Sequence, residues 1–144
     1  SSIMNSISTI FLIGGFVVLF SVVISILNSS GCLELISSFL SPIFKTFGIP
    51  SKYIKGIVIG LIELTNGVCS IALIASKNIS TNIIICAFLL GFGGISVALQ
   101  VLSITSKNGI SIKPYLLGKF LQGCFAALYT YLILNNFCFL NLDL

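Results

Sequence analysis

Long apolar runs, broken at a few defined points, organise this chain. Residues 7–27 give 21 positions without a charge, enough helix to cross a hydrocarbon core of roughly 30 Å at about 1.5 Å per residue. After Asn28-Ser29-Ser30-Gly31 the pattern changes. Cys32, Leu33, Leu35, Ile36, Phe39, Leu40, Ile43, Phe44 and Phe47 recur at largely helical spacing among serines, up to Lys45, Gly48 and Pro50. That stretch is too polar to cross and predicts an amphipathic helix in the plane of the interface. A second long block, 54–76, is interrupted by Glu63-Leu64-Thr65-Asn66-Gly67, and a third, 81–105, by Gly91-Phe92-Gly93-Gly94. The fourth, 114–134, opens on Pro114, suited to a first helical turn, and is continuous. Apolar strands of a buried sheet run to only about 4–8 residues. The pattern therefore predicts an all-α integral membrane protein.

The interruptions carry the most information. Thr65-Asn66-Gly67 reads as a stop-and-restart signal, because Asn and Gly tolerate left-handed backbone and Thr or Asn caps a following helix. Ser96 is placed to cap whatever follows the glycines. Each unpaired backbone group in hydrocarbon costs several kcal/mol, so breaks survive only inside protein or along a polar cavity. Paired breaks of this kind are the sequence mark of a secondary transporter's substrate site. The plainer alternative is that glycines let helices touch, and Gly56 with Gly60 fits that spacing. If Gly93 belongs to an unwound site, alanine there should favour continuous helix by roughly 1 kcal/mol, keeping stability while transport falls.

Composition narrows the class. The chain is 57% hydrophobic and 7% charged, against about 25% charged in soluble domains. Its net charge of +4 comes from lysines lying mostly between the apolar runs, which suits headgroup contact and not nucleic acid. With no histidine, no paired carboxylates, no metal-ligand spacing and no phosphate loop, an enzyme is not expected. The five cysteines form no CxxC pair and sit among apolar residues, as small hydrophobes do. Glu63 is the one acid inside a long apolar run, and an acid at that depth is a functional candidate by default. Gln100 and Gln122 read equally as interhelical glue, and Lys119 as a lysine whose stem snorkels to the interface. The chain opens at Ser1 with nothing basic before Ile7, and the first block is too long for a signal-peptide core. It is read as a true span, and the chain as part of a longer protein.

Three segments carry a family resemblance: residues 60–67 (Gly60 to Gly67), Gly91-Phe92-Gly93-Gly94-Ile95-Ser96-Val97-Ala98-Leu99-Gln100, and Ile112-Lys113-Pro114-Tyr115. With Gly14-Gly15-Phe16, they resemble the C-terminal half of the YlbJ (SpoVV) sporulation membrane proteins, in the nucleoside-recognition, or Gate, group. The resemblance implies a distant relation to concentrative nucleoside transporters and transport of dipicolinic acid across the outer forespore membrane. It also implies that residues 1–144 are a single Gate-like domain, one half of a two-repeat protein, whose partner is the missing N-terminal half or a second copy. For residues 54–76 two topologies compete. A single crossing places Lys45, Lys52, Lys55, Lys107 and Lys113 opposite Lys77; a re-entrant hairpin places Lys45, Lys52, Lys55 and Lys77 opposite Lys107 and Lys113. Charge favours the crossing slightly, the resemblance favours the hairpin, and the hairpin with Thr65-Asn66-Gly67 at its tip is the reading adopted.

The expected mechanism is a carrier of a small organic anion in a lipid bilayer. Helices restarted after Gly67 and Gly94 would aim their N-terminal N–H groups at the anion. The substrate or coupling-ion site then comprises Glu63, Thr65, Asn66, Gly67, Gly91, Gly93, Gly94, Ser96 and Gln100. An ionised Glu63 would repel the substrate, so it is expected to be protonated or paired with a cation, tying transport to a proton or a sodium ion. The competing reading is a structural or assembly module that transports nothing.

Overall fold

The computed structural model describes residues 2–76, 79–105 and 111–139, and the regular structure in them is entirely helical. Lys77 and Lys107, counted in the topology argument, lie outside the described residues.

Helix α1 (Ser2–Ser29) is apolar around its circumference and long enough to span the bilayer. Two hydroxyls near its start are satisfied locally: Ser8 Oγ donates to Met4 O at 3.0 Å and Thr9 Oγ1 to Asn5 O at 2.9 Å, as lipid exposure requires. Gly31, at φ 75°, turns the chain into α2 (Cys32–Thr46), the expected amphipathic helix. Gly48, at φ 73°, and Pro50 then turn it by 114° into α3 (Ser51–Ile62). So sharp a turn sets α2 across the direction of α3. Glu34 on α2 pairs with Lys55 on α3, and that hydrogen bond holds the Glu34 carboxyl below its usual range.

Block 54–76 is the hairpin. It comprises α3 and α4 (Leu64–Ala72), of 12 and 9 residues, about 18 and 14 Å long. Neither arm can cross a core of about 30 Å. Their contacts pair residues equidistant from the Glu63–Leu64 junction: Gly60 with Gly67, Gly56 with Ile71, and Lys52 Nζ with Ala75 O at 3.1 Å. The arms are therefore antiparallel along their whole length. Block 81–105 becomes α5 (Ile79–Phe92) and α6 (Gly94–Thr105), which together make one broken span. Helix α7 (Ile112–Phe139) recrosses, with Ser111 Oγ accepting the Lys113 N–H at 3.4 Å in its first turn.

Helix α3 is the most enclosed element. Ile54, Val58 and Ile59 pack with Ile24 of α1 and Leu33 of α2, while Tyr53 and Ile57 pack with Ile71, Ile85 and Leu89. In lipid such packing is carried by close fit and internal hydrogen bonds more than by exclusion of water. The open end of the hairpin has a polar clamp. Tyr53 Oη donates to Asn82 Oδ1 at 2.7 Å, and Asn82 Nδ2 donates to Ile71 O and Ile74 O, both at 3.0 Å. One α5 amide thus joins α3 to the last turn of α4 and to Ile74 just beyond it.

Candidate functional site at the two helix breaks

The first break is at Glu63, whose backbone is extended (φ −140°, ψ 119°). Its N–H closes the last α3 bond onto Ile59 O at 2.8 Å, and its C=O accepts the Gly67 N–H at 3.1 Å as α4 begins. The side chain folds over the first turn of α4. Oε1 accepts the Thr65 N–H at 3.0 Å; Oε2 accepts the Asn66 N–H at 2.8 Å and Asn66 Nδ2 at 2.9 Å. A carboxylate therefore caps the positive end of α4, and it is only 2% exposed. Asn66 Nδ2 also donates to Ser21 Oγ at 2.8 Å, tying the tip to α1.

This corrects the expected tip. The turn precedes Thr65-Asn66-Gly67, because Glu63 leaves the helix and takes up the next two N–H groups. Thr65 and Asn66 supply backbone donors to that cap instead of capping with their own side chains. Gly67 lies inside α4, where a Cβ would come closer than 3.0 Å to Gly60 Cα and N. It is glycine so that α3 and α4 can touch. The Thr65 side chain is exposed.

The second break is at Gly93 and Gly94, with φ 87° and 76°. Gly93 N–H still reaches Leu89 O at 2.8 Å, and α6 starts at Gly94. Ser96 is thus not its cap: it lies within α6, 1% exposed, accepting from Gln100 Nε2 at 3.3 Å. Gln100 is buried beside it on the same face, as their spacing predicts. Gly91 lies before the break, facing α7, where a Cβ would sit 2.7 Å from Gly123 Cα. The positive φ at Gly93 also reverses the expectation for alanine there, since a Cβ costs energy in that conformation.

The two breaks meet. A Cβ on Gly94 would lie 2.9 Å from Gly60 O and 3.4 Å from Leu61 O and Ile62 O, so the second break sits on the last turn of α3. Carbonyl ends of α3 and α5 and amide ends of α4 and α6 converge at this junction. Glu63 already occupies the amide end of α4, which leaves α6 as the N-terminus of the expected pair able to face an anion. Sequence reasoning missed Ser21, Tyr53 and Asn82. Asn82 was legible by the rule that drew attention to Gln100, an amide inside an apolar block; Ser21 was one hydroxyl among several in α1.

An apolar cavity of about 480 Å³, lined in part by Phe44, Phe47, Ile57, Ile85, Phe88 and Phe120, lies apart from the breaks. Its walls suit hydrocarbon and not a charged solute. Among the described residues, no group of three or more His, Cys, Asp or Glu side chains is placed to hold a metal ion.

A family model described as nucleoside recognition, the Gate family, matches residues 10–111. The chain belongs to the Gate family. The Gate match takes in most of α1, the hairpin and the broken span, so both breaks fall within it. The sporulation integral membrane protein YlbJ of Bacillus subtilis (strain 168) is 31% identical over 134 residues, covering 92% of this chain and 32% of that protein. The chain thus spans about a third of that relative's length. No solved structure matches it significantly. Family and fold together make this a multi-pass bacterial membrane protein.

Proposed function

We propose that this chain forms the recognition unit of a membrane carrier for a small organic anion, with the substrate held at the junction of the two breaks. The observation that carries the reading is the seating of Gly94 on the α3 carbonyls, which brings two irregular backbone segments to one point inside apolar helices. Dipicolinic acid, carried across the outer forespore membrane, is the substrate favoured. The similar protein is described as a sporulation protein, and dipicolinate shares a planar nitrogen heterocycle with the nucleosides of the family description. In this reading the amide end of α6 and the buried Ser96 and Gln100 face the anion. Glu63 holds the hairpin tip against it, with Thr65, Asn66 and Gly67 fixed by that cap. A proton or a sodium ion is the coupling ion, drawn to the carbonyl ends of α3 and α5. The remaining part of a longer chain, or a second copy, closes the other side.

One observation favours the assembly reading: Gly67 meets Gly60 and Gly91 meets Gly123 backbone to backbone, as packing modules require. Glu63→Gln separates the two. The amide turns an NH₂ group toward N–H donors and weakens the cap by about 1 kcal/mol. A carrier should lose uptake of radiolabelled dipicolinate into proteoliposomes more than tenfold while inserting and accumulating normally. Near-normal, still pH-responsive uptake would remove Glu63 from the mechanism. Loss of folded protein in step with activity would favour assembly.

A further inference from the structure

Helix α7 carries a polar pair that its surroundings do not explain. It exposes Leu117, Phe120, Leu121 and Phe125, yet Lys119 Nζ donates to Gln122 Oε1 at 3.0 Å on the same helix. The register against α5 fixes the depth of that pair. A Cβ on Gly123 would lie 2.9 Å from Phe88 O, and Gly93 meets Lys119 four residues earlier on α7, so the helices run antiparallel and Lys119 comes level with the second break. A Cβ on Gly93 would lie 3.5 Å from Lys119 Cε. Gly93 follows the 14 residues of α5, about 21 Å of helix, which places it roughly 10 Å inside a core of about 30 Å. The lysine stem therefore lies across the break and does not run out to the interface. An ammonium has three donors, and among the described residues Gln122 is its one hydrogen-bond acceptor. A charge at that depth needs a counter-charge.

We propose that Lys119 is the charge-selecting residue of the site. Its ammonium binds a carboxylate of the carried anion over Gly93, where the absence of a side chain leaves room, and Gln122 holds the ammonium in place. Gly94 lies next along the chain against the hairpin, so this supplies the positive group that the break region otherwise lacks. The assignment rests on the anion-carrier reading. It differs from a structural role in which the ammonium only neutralises the carbonyl end of α5.

The test is calorimetric binding to the full-length protein in detergent. The probes are pyridine-2,6-dicarboxylate and, as a neutral heterocycle, uridine; the proteins are wild type, Lys119→Met and Lys119→Arg. Wild type should prefer the dianion, and Lys119→Met should bind it roughly ten- to a hundredfold more weakly. Lys119→Arg should recover most of that loss, and the unliganded melting temperature of Lys119→Met should hold or rise. Undiminished dianion affinity in Lys119→Met would overturn the assignment while leaving the carrier reading intact. So would a melting temperature that falls without ligand and is restored by arginine, which marks the structural role. Wild type that binds neither probe, or only uridine, would remove the anion-carrier reading and the assignment with it.

Discussion

Adjacent glycines in the second break allow the junction itself to be weighed. Gly93 and Gly94 share a left-handed backbone, at φ 87° and 76°, so alanine at either costs about 1–2 kcal/mol in conformation alone. Their surroundings differ. At Gly93 a Cβ would meet Lys119 Cε at 3.5 Å and Val97 side-chain atoms at 3.6 Å, which is ordinary contact. At Gly94 it would meet Gly60 O at 2.9 Å, with Leu61 O and Ile62 O at 3.4 Å. Those are backbone carbonyls of a packed helix with no rotamer to give way, so an overpacking cost of about 1–3 kcal/mol is added. Gly94→Ala should therefore destabilise by about 3 kcal/mol and Gly93→Ala by about 1.5 kcal/mol. At roughly 3–4 °C per kcal/mol for a chain of this size, the melting temperatures should fall by about 10 °C and about 5 °C. With exposed Cys69 and Cys124 replaced by serine, a thiol-reactive fluorogenic dye can follow the melt in detergent, reporting exposure of part-buried Cys32 and Cys86. Equal losses would show that the breaks do not press on each other. A stabilised Gly93→Ala would show that the break is a continuous helix in solution.

Three further outcomes follow from the packing. Gly67→Ala should lower the melting temperature by roughly 5–10 °C despite its gain in helix propensity, because its Cβ lands on the Gly60 backbone; an unchanged melt would refute the antiparallel contact. Asn82→Ala should cost about 3 kcal/mol by stranding Tyr53 Oη and two carbonyls, and Tyr53→Phe about 1 kcal/mol, with the double mutant well short of their sum in thermal unfolding. Cysteine placed at Asn136, in the last turns of α7, should label from the cytoplasm on a cysteine-free background, the side shared with Lys52; labelling only from outside would require 54–76 to cross.

The spans were legible because lipid imposes a simple length rule: a run of apolar residues either reaches across or does not. Residues 7–27 and 114–134 needed nothing more. The breaks were legible as regions, for the same reason that they are costly. Their exact residues were less so. Thr65-Asn66-Gly67 carries every local sign of a turn, yet the turn falls at Glu63. Local propensity cannot report that a glutamate side chain will cover the next two N–H groups, or that Gly67 is small for the sake of Gly60, seven residues back. Ser96 was misread likewise: two positive-φ glycines end one helix and start the next without a side-chain cap. Depth was the other blind spot. Lys119 looked free to reach the interface, and only the register of α7 on α5, set by Gly91 against Gly123, shows it beside Gly93.

The seating of Gly94 on α3 also links the two breaks mechanically. The carbonyls of Gly60, Leu61 and Ile62 are among the last in α3 and have no helical partner beyond Glu63. They are positioned by the cap that turns the chain into α4, and the start of α6 rests on them. Shifting the cap therefore shifts the seat of Gly94. The other end of the hairpin is held to α5 by Asn82. In a carrier, that geometry would convert a change at Glu63 or its Asn66–Ser21 tether into movement at the second break. Its signature would be energetic coupling between Asn66→Ala and Gly93→Ala, residues on different breaks, exceeding about 0.5 kcal/mol in a double-mutant cycle of thermal stability. Additive effects would mean that the two breaks are neighbours without being parts of one device.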